Sequence, residues 1–366
     1  MVKSTNEIGG LQDIYETKFF IIMPTYNVGY DLIKECLLSI YCQKIISNMS
    51  LIIINDKSLK WNEEIKAIEE YKEKLNIHVL ENEKNIGLGP TRNIGLNYIK
   101  NNISFSDYDY ILYIDPDDFF KKNSLKKLLK KLKKGKYPDI VRFSYVSLEK
   151  NKAVINYYPV IFSSQNRTDR MWNGFLETSW LCAYNAKFIF ENNLFFVDSR
   201  KIHEDVYYSL VTSSLAKSIT STNIHVYMYR WNREGSITNI YSCSNLLTEH
   251  KLKWIEAVTF YIDCAYNFLK EKVDKKMLRF YFFKFNWILE CSKLDNLDIK
   301  LYTREANSIE KIFNELECDY FDRNRKHIFF KDIENYTNFS NGKLIRKSII
   351  LKSIIFSLLW KKCLSN

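Results

Sequence analysis

The chain has 366 residues, of which 46% are hydrophobic and 27% are charged, so it is a globular protein that can bury a full core. Its net charge of +11 favours contact with an anionic partner, which leaves nucleic acid, a phosphorylated ligand and an acidic membrane surface open. The eight cysteines are scattered without a C-x-x-C pair, which excludes a zinc site of the usual spacing and indicates reduced thiols of a cytosolic protein.

Three apolar runs near the start of the chain predict buried strands, at 19–23, 51–54 and 77–80. Turn-forming or polar residues end the first two. Apolar residues repeat on one helical face from Asp31 onward, and the charged stretch 61–75 predicts a solvent-facing helix. This alternation predicts a mostly parallel sheet with helices on both faces, whose ligands bind beyond the carboxyl ends of the strands.

A fourth strand, 110–114, is followed at once by the carboxylates of Asp115, Asp117 and Asp118. Such a cluster repels itself unless a cation lies within it. Asp115 and Asp117 are one residue apart, and hard oxygen ligands at this spacing suit Mg²⁺ or Mn²⁺ with open positions for water and phosphate. A solvated acidic turn is the alternative.

Between the third and fourth strands lies the loop 85–95, which contains three glycines and Arg92. Glycine allows a backbone to approach a ligand closely, and an arginine in such a loop can bind a phosphate or a carboxylate. For the glycines alone, an ordinary glycine-rich entry to a helix is the preferred interpretation.

Taken together, four motifs resemble the nucleotide-sugar half of family 2 glycosyltransferases with the GT-A fold. They are Pro24-Thr25-Tyr26-Asn27, Asn55-Asp56-Lys57-Ser58, Asn85-x-Gly87 leading to Arg92-Asn93-x-Gly95, and Ile114-Asp115-Pro116-Asp117-Asp118. Lys57 stands where the family often has glycine, and Pro116 interrupts the Asp-x-Asp motif. Neither departure removes a residue that the resemblance implies as a ligand contact.

Two later motifs extend the resemblance. His203-Glu204-Asp205 is similar to the E-D motif that opens the acceptor-side helix of the family, and the tract 227–238 is similar to the Y-R-x-R-E-G-S-I-T ending of many bacterial capsule and lipopolysaccharide members. The arginines of that tract, Arg230 and Arg233, could neutralise a diphosphate or brace the loop that carries it.

The resemblance implies an inverting glycosyltransferase that uses a nucleotide-sugar donor, expected to be a UDP-sugar, and a glycan or lipid-linked glycan acceptor. Asp205 would be the catalytic base and Glu204 would orient the acceptor; the reverse assignment of the base is the alternative. The implied metal ligands are Asp115 and Asp117, for Mn²⁺ or Mg²⁺. The implied contacts with the nucleotide sugar are Pro24, Thr25, Tyr26, Asp56, Asn85, Arg92, Asp115 and Asp117.

The sequence predicts four regions: a flexible lead-in at 1–17, the GT-A domain at 18–238, a helical region at 239–341 and a basic amphipathic segment at 342–366. The last segment suits an anionic membrane interface, and a buried terminal helix is the alternative. Residues 1–18 lack the apolar run of a signal peptide and no transmembrane helix is predicted, so the expected location is cytoplasmic, with or without contact with the inner face of the membrane.

Two further predictions concern the middle of the chain. The lysine-rich stretch 124–134 predicts a solvated amphipathic helix, and the aromatic-rich stretch 151–200 could line an acceptor site or fill the core.

Other functions fit less of the sequence. An aspartyl-phosphate phosphatase has its Asp-x-Asp after the first strand, whereas here it follows the fourth, and a nucleotidyltransferase has a glycine-rich basic loop where this chain has 24–27. A protein that binds nucleic acid or membrane without transferase activity is supported by charge alone, and no nucleic-acid partner is expected.

Overall fold

A computed structural model of the chain describes residues 17–149, 152–156, 178–231, 247–274 and 278. These residues form nine strands and seven α-helices. The strands are β1 (Phe19–Thr25), β2 (Met49–Asn55), β3 (Ile77–Glu81), β4 (Tyr110–Tyr113), β5 (Phe119–Phe120), β6 (Ile140–Glu149), β7 (Lys152–Asn156), β8 (Cys182–Asn185) and β9 (Ile219–Arg230). The helices are α1 (Tyr30–Tyr41), α2 (Trp61–Glu69), α3 (Leu88–Asn102), α4 (Ser124–Lys134), α5 (Ala186–Glu191), α6 (Glu204–Leu215) and α7 (Leu247–Leu269).

The strands form one mixed sheet in the order β3-β2-β1-β4-β8-β6-β9-β5, with β7 paired to β6. The first four strands are parallel, and β8 joins β4 in the antiparallel direction. The chain leaves β1 to form β2 on one side and later returns to form β4 on the other, so the order reverses between β1 and β4. In open α/β sheets a ligand crevice forms at such a reversal, beyond the carboxyl ends of the strands.

Continuous apolar runs explain the central strands. Every residue of β1, β2 and β4 is buried, which requires cover on both faces of the sheet, as parallel strands normally have. Leu125, Leu128 and Leu132 of α4 are fully buried on one face, so the predicted amphipathic helix 124–134 is confirmed. The predicted fold, an α/β sheet with helices on both faces, is confirmed as well.

One sequence-based expectation differs from the structure, and one alternative that the sequence left open is decided by it. The helix expected over 61–75 ends at Glu69, and Glu64 within it is fully buried although the stretch was expected to face solvent. Trp180, from the stretch that could have lined an acceptor site, is 8% exposed and packs on Tyr227 and Tyr229 with ring centres 4.4 and 5.3 Å away. It therefore belongs to the core.

The helical patterning after 239 is found in α7, which packs against α6. Tyr261 of α7 donates a hydrogen bond to the carbonyl oxygen of Lys201 at 2.7 Å. No helix in the described part of the chain is long and apolar enough to cross a membrane. Outside the described residues lie residues 1–16 of the lead-in, Trp172 and Phe175 of the aromatic-rich stretch, Arg233 and the segment 342–366.

A glycine fixes how closely α3 approaches the sheet. A Cβ atom at Gly95 would lie 2.8 Å from Cγ2 of Ile22 in β1 and 3.2 Å from Cδ1 of Ile54 in β2. Gly95→Ala should therefore overpack the core, at a cost of about 1–3 kcal/mol that exceeds the gain of up to about 1 kcal/mol in helix propensity. Urea unfolding measures the difference. Asn97→Ala, on the exposed face of the same helix, is the control and should leave stability unchanged or raise it; equal stability of the two variants would contradict the close packing.

Candidate active site

The polar loops predicted from the sequence do meet at the reversal between β1 and β4. Thr25 ends β1, Tyr26 follows it with 49% of its surface exposed, and Asp115 lies two residues beyond β4. The paired register of Ile22 with Tyr113 brings the ends of the two strands side by side. The crevice therefore has an aromatic ring on one rim and a carboxylate on the other.

A buried carboxylate shapes the loop after β1. Glu64 of α2 accepts hydrogen bonds from the backbone N–H groups of Val28 at 2.8 Å and Gly29 at 3.2 Å, and from the hydroxyl of Thr25 at 3.2 Å. The two N–H groups precede α1, where the helix dipole favours a negative charge. No sequence motif marked Glu64. However, Trp61 lies three residues before it and Ile68 four residues after it, so all three share the buried face of the helix.

Asp56, at the end of β2, is 4% exposed and anchors the glycine-containing loop. One carboxylate oxygen accepts from the Asn82 side chain and the Ile86 N–H, and the other accepts from the Asn85 side chain and the Gly87 N–H, all at 2.8 to 3.0 Å. Four donors match the four acceptor sites of a carboxylate. The implied contacts of Asp56 and Asn85 with a nucleotide stay predictions; the structure shows both residues holding the start of α3.

From this anchored start, α3 carries Arg92 into the protein. The Arg92 side chain is 1% exposed, and its guanidinium carbon lies 5.5 Å from the ring centre of Tyr113 and 5.3 Å from that of Phe196. Gly89 allows this approach, because a Cβ there would lie 3.2 Å from side-chain atoms of Glu204. Arg92 is therefore held by aromatic rings and close helix packing, away from bulk water.

Three carboxylates from two distant parts of the chain share this guanidinium. Nη2 of Arg92 lies 3.1 Å from Asp115 Oδ1, and Nη1 lies 2.8 Å from both Glu204 Oε1 and Asp205 Oδ1. Asp115 follows β4, whereas Glu204 and Asp205 form the first turn of α6. The Arg92 guanidinium thus connects Asp115, which the sequence predicts as a metal ligand, with Asp205, which it predicts as the base.

The charges in this cluster do not balance, because one guanidinium meets three carboxyl groups. Burial, reinforced by the charge of Asp205, raises the pKa of Glu204 to about 8 although Arg92 opposes the shift. Burial likewise raises the pKa of Asp115 to about 6, against the effect of Arg92 and with a further contribution from Asp117. Burial alone would lower the pKa of Arg92, but the three carboxylates outweigh it and raise the value, so the guanidinium stays charged.

The turn after β4 is braced from β9. Asp118 is buried and accepts a hydrogen bond from the Arg230 N–H at 2.7 Å. The Arg230 guanidinium donates to the carbonyl oxygen of Asp117, pairs with Glu35 and lies 4.9 Å from the ring centre of Phe119. Of the two roles that the sequence left open for Arg230, the structure shows the bracing one.

Asp115 and Asp117 remain half-buried on the same turn, so two carboxylates at the crevice could contribute to a metal site. No group of three or more His, Cys, Asp or Glu residues able to hold a metal is found among the described residues. A divalent cation here would therefore need further oxygen ligands from water or from a phosphorylated ligand, which Mg²⁺ and Mn²⁺ usually take.

Most of the predicted site residues thus surround one crevice, but not all face it. Pro24 and Thr25 are buried in β1, and Tyr26 is exposed at its end. Arg92, implied as a nucleotide contact, is turned towards carboxylates instead. His203 has a positive φ of 65° directly before α6, and burial lowers its pKa.

Residues 20–191 match the model of glycosyl transferase family 2. Over these residues the chain is similar to the family 2 glycosyltransferases. This finding confirms the family that the four motifs indicated, and it favours neither the phosphatase nor the binding protein without a catalytic domain.

Two curated relatives of the family 2 domain resemble this chain. Glycosyltransferase GlyA of Streptococcus pneumoniae serotype 4 is 27% identical over 242 residues, which are 63% of this chain and 32% of GlyA. Poly(ribitol-phosphate) beta-N-acetylglucosaminyltransferase TarS of Staphylococcus aureus is 23% identical over 232 residues, which are 60% of this chain and 36% of TarS. The chain therefore spans about a third of the length of each of these relatives.

Solved structures show the same fold. The crystal structure of S. aureus TarS 1–349 in complex with UDP-GlcNAc superimposes with a TM-score of 0.63 at 18% identity, and the match covers 81% of each chain. A second crystal structure of S. aureus TarS 1–349 gives a TM-score of 0.60 at 17% identity over the same shares. The domain therefore has the GT-A fold of TarS.

Removing the shared cation should cost stability. Arg92→Met leaves the three carboxyl groups without their counter-charge, and breaking a buried ion pair in this way typically costs about 3–5 kcal/mol. Urea unfolding measures the loss. Arg200→Met is the control, because Arg200 is exposed and donates a single hydrogen bond to Asn85. Losses of equal size in the two variants would contradict the central place of Arg92.

The raised pKa of Glu204 predicts a pH-dependent stability. Between about pH 4.5 and about pH 8 the unfolded chain releases this proton while the folded chain keeps it, so stability falls as pH rises through this window. Glu204→Gln lacks this titrating group, so its stability relative to that of the parent should increase progressively as pH rises. Thermal unfolding across this pH window measures the difference in stability between variant and parent. Glu63→Gln, at an exposed site of α2, is the control and should show no such pH-dependent difference. A gap that stays constant with pH would contradict the shift.

Proposed function

We propose that the chain is an inverting glycosyltransferase that moves a sugar from a UDP-linked donor to a hydroxyl group of a cell-surface glycan or lipid-linked acceptor. The observation that carries this proposal is the joint binding of Asp115 and Asp205 to one buried guanidinium. It supports the proposal because the turn that we assign to the diphosphate lies within one side-chain length of the carboxylate that we assign to the acceptor. UDP-GlcNAc is the first donor to test, because the similar TarS structure holds it.

Asp205 is better suited than Glu204 to be the base. Burial raises the pKa of Glu204 and so favours its protonated form, and the Glu204 side chain is 7% exposed against 15% for Asp205. A protonated carboxyl group can donate a hydrogen bond to an acceptor oxygen but cannot take its proton. These properties support Asp205 as the base and Glu204 as the orienting group.

The reaction is a single displacement. Asp205 takes the proton of the acceptor hydroxyl, whose oxygen forms a bond to the anomeric carbon as the bond to the diphosphate oxygen breaks. The leaving UDP carries away the electron pair of that bond. Mn²⁺ or Mg²⁺ bound by Asp115 and Asp117 would supply positive charge beside the diphosphate, so no general acid is required. Arg230 keeps the turn of Asp117 in place, and Tyr26 offers its exposed ring to the nucleoside.

The proposal is tested by release of UDP from UDP-GlcNAc with Mn²⁺ present. Asp205→Asn should slow turnover by about 10²-fold or more, as loss of a general base usually does, while thermal stabilisation by UDP-GlcNAc persists. Asp117→Ala should lose the response to Mn²⁺. Asp198→Asn, at an exposed site in the loop before α6, is the control and should match the parent.

Two outcomes would contradict the proposal. One is an Asp205→Asn variant that releases UDP as fast as the parent. The other is a parent protein that neither hydrolyses nor is stabilised by any member of a panel of UDP-sugars.

A further inference from the structure

Helix α4 and its flanks carry a concentrated positive charge that the proposed reaction does not use. Residues 121–136 include no aspartate or glutamate. Their nine lysines, here called the lysine face, are Lys121, Lys122, Lys126, Lys127, Lys130, Lys131, Lys133, Lys134 and Lys136. The whole chain has a net charge of +11, so a segment of sixteen residues holds a charge close to that of the complete protein.

The packing of α4 directs this charge outward. Leu125, Leu128 and Leu132 are fully buried against the protein. Eight lysines of the lysine face are exposed, and Lys131 is partly exposed. At the angular spacing of an α-helix, the six lysines within α4 cover about half of its circumference. The result is a broad convex surface of ammonium groups with no exposed leucine at its centre.

Within the part of the chain that the structure describes, carboxylates do not neutralise this surface. None of the ion pairs formed between described residues involves the lysine face. Elsewhere the lysines often have partners: Lys34 lies 2.9 Å from Glu70, and Lys72 lies 2.9 Å from Glu69. Repulsion among nine lysines that have no carboxylate partner in the described part of the chain favours contact with an external anionic surface, which supplies the counter-charge.

We propose that the lysine face docks this protein on an anionic lipid bilayer. A broad convex surface of lysines alone, without arginine forks or aromatic rings, suits a plane of many phosphate groups better than a single shaped ligand. The apolar side chains of α4 are committed to the core, so the contact is electrostatic and does not insert into the membrane. The interaction is therefore sensitive to salt.

Docking through the lysine face would bring the membrane close to the crevice. Helix α4 begins six residues after Asp118, and the hydroxyl of Ser124 at its start lies 3.4 Å from the carbonyl oxygen of Val226 in β9. The strand that carries Arg230 thus anchors the first turn of the lysine face. A membrane bound there lies near the carboxylates, although the docking itself does not depend on any transferase activity.

Flotation of the full chain with vesicles tests the proposal, using phosphatidylcholine with and without phosphatidylglycerol. The protein should float with the anionic vesicles at low salt, remain unbound with neutral ones, and be released by high salt. Lys126→Gln/Lys130→Gln/Lys133→Gln should weaken binding about a hundredfold, since each lysine near an anionic surface contributes about fivefold. The matched control Lys66→Gln/Lys72→Gln/Lys74→Gln removes the same charge from exposed sites on and after α2 and should bind as the parent does.

Other results would overturn the proposal. If both triple variants bind equally, the attraction comes from net charge or from another segment such as 342–366. If the parent binds soluble polyphosphate through the lysine face but not the anionic vesicles, the partner is an anionic polymer. Thermal unfolding of both variants should match that of the parent, which shows that the fold is retained. UDP release by each variant measures the proposed transferase activity separately.

Discussion

The arrangement of the site depends on one buried cation. The Arg92 guanidinium is almost inaccessible to water and binds a carboxylate that follows β4 and two that open α6. Carboxylates buried this closely would repel one another without a cation between them. Arg92 therefore does more than pair with a neighbour, because it allows the turn after β4 and the start of α6 to lie side by side.

The rest of the domain positions that guanidinium. Asp56 uses its four acceptor sites to fix the loop before α3, and Gly95 lets α3 lie against β1 and β2. Glu64 shapes the loop on the opposite rim through backbone N–H groups. Each of these buried carboxylates organises a loop through hydrogen bonds, which is how polar groups become compatible with a buried position. Buried hydrogen bonds and close packing therefore hold each of these described parts of the crevice in place.

Much of the fold and part of the candidate site could be predicted from the sequence. The apolar run Phe19–Met23 admits few environments other than a central strand, and the leucine period of 124–134 defines both the helix and its buried face. The order of motifs identified the family and brought Asp115 and Asp205 to one site. Glu64 was missed because a single buried position is hidden within a strongly charged stretch. The partners of Arg92 could not be predicted, since Glu204 is 112 residues away and an arginine suits phosphate and carboxylate alike.

A crystal structure of the chain with UDP-GlcNAc and Mn²⁺ tests most directly whether Arg92 joins the donor side of the crevice to the catalytic base. We expect the metal and diphosphate beside Asp115 and Asp117, the anomeric carbon facing the Asp205 carboxylate across an open acceptor position, and Arg92 still bound to Asp205. A donor bound with its anomeric carbon turned away from Asp205, or bound outside the crevice between β1 and β4, would contradict this expectation.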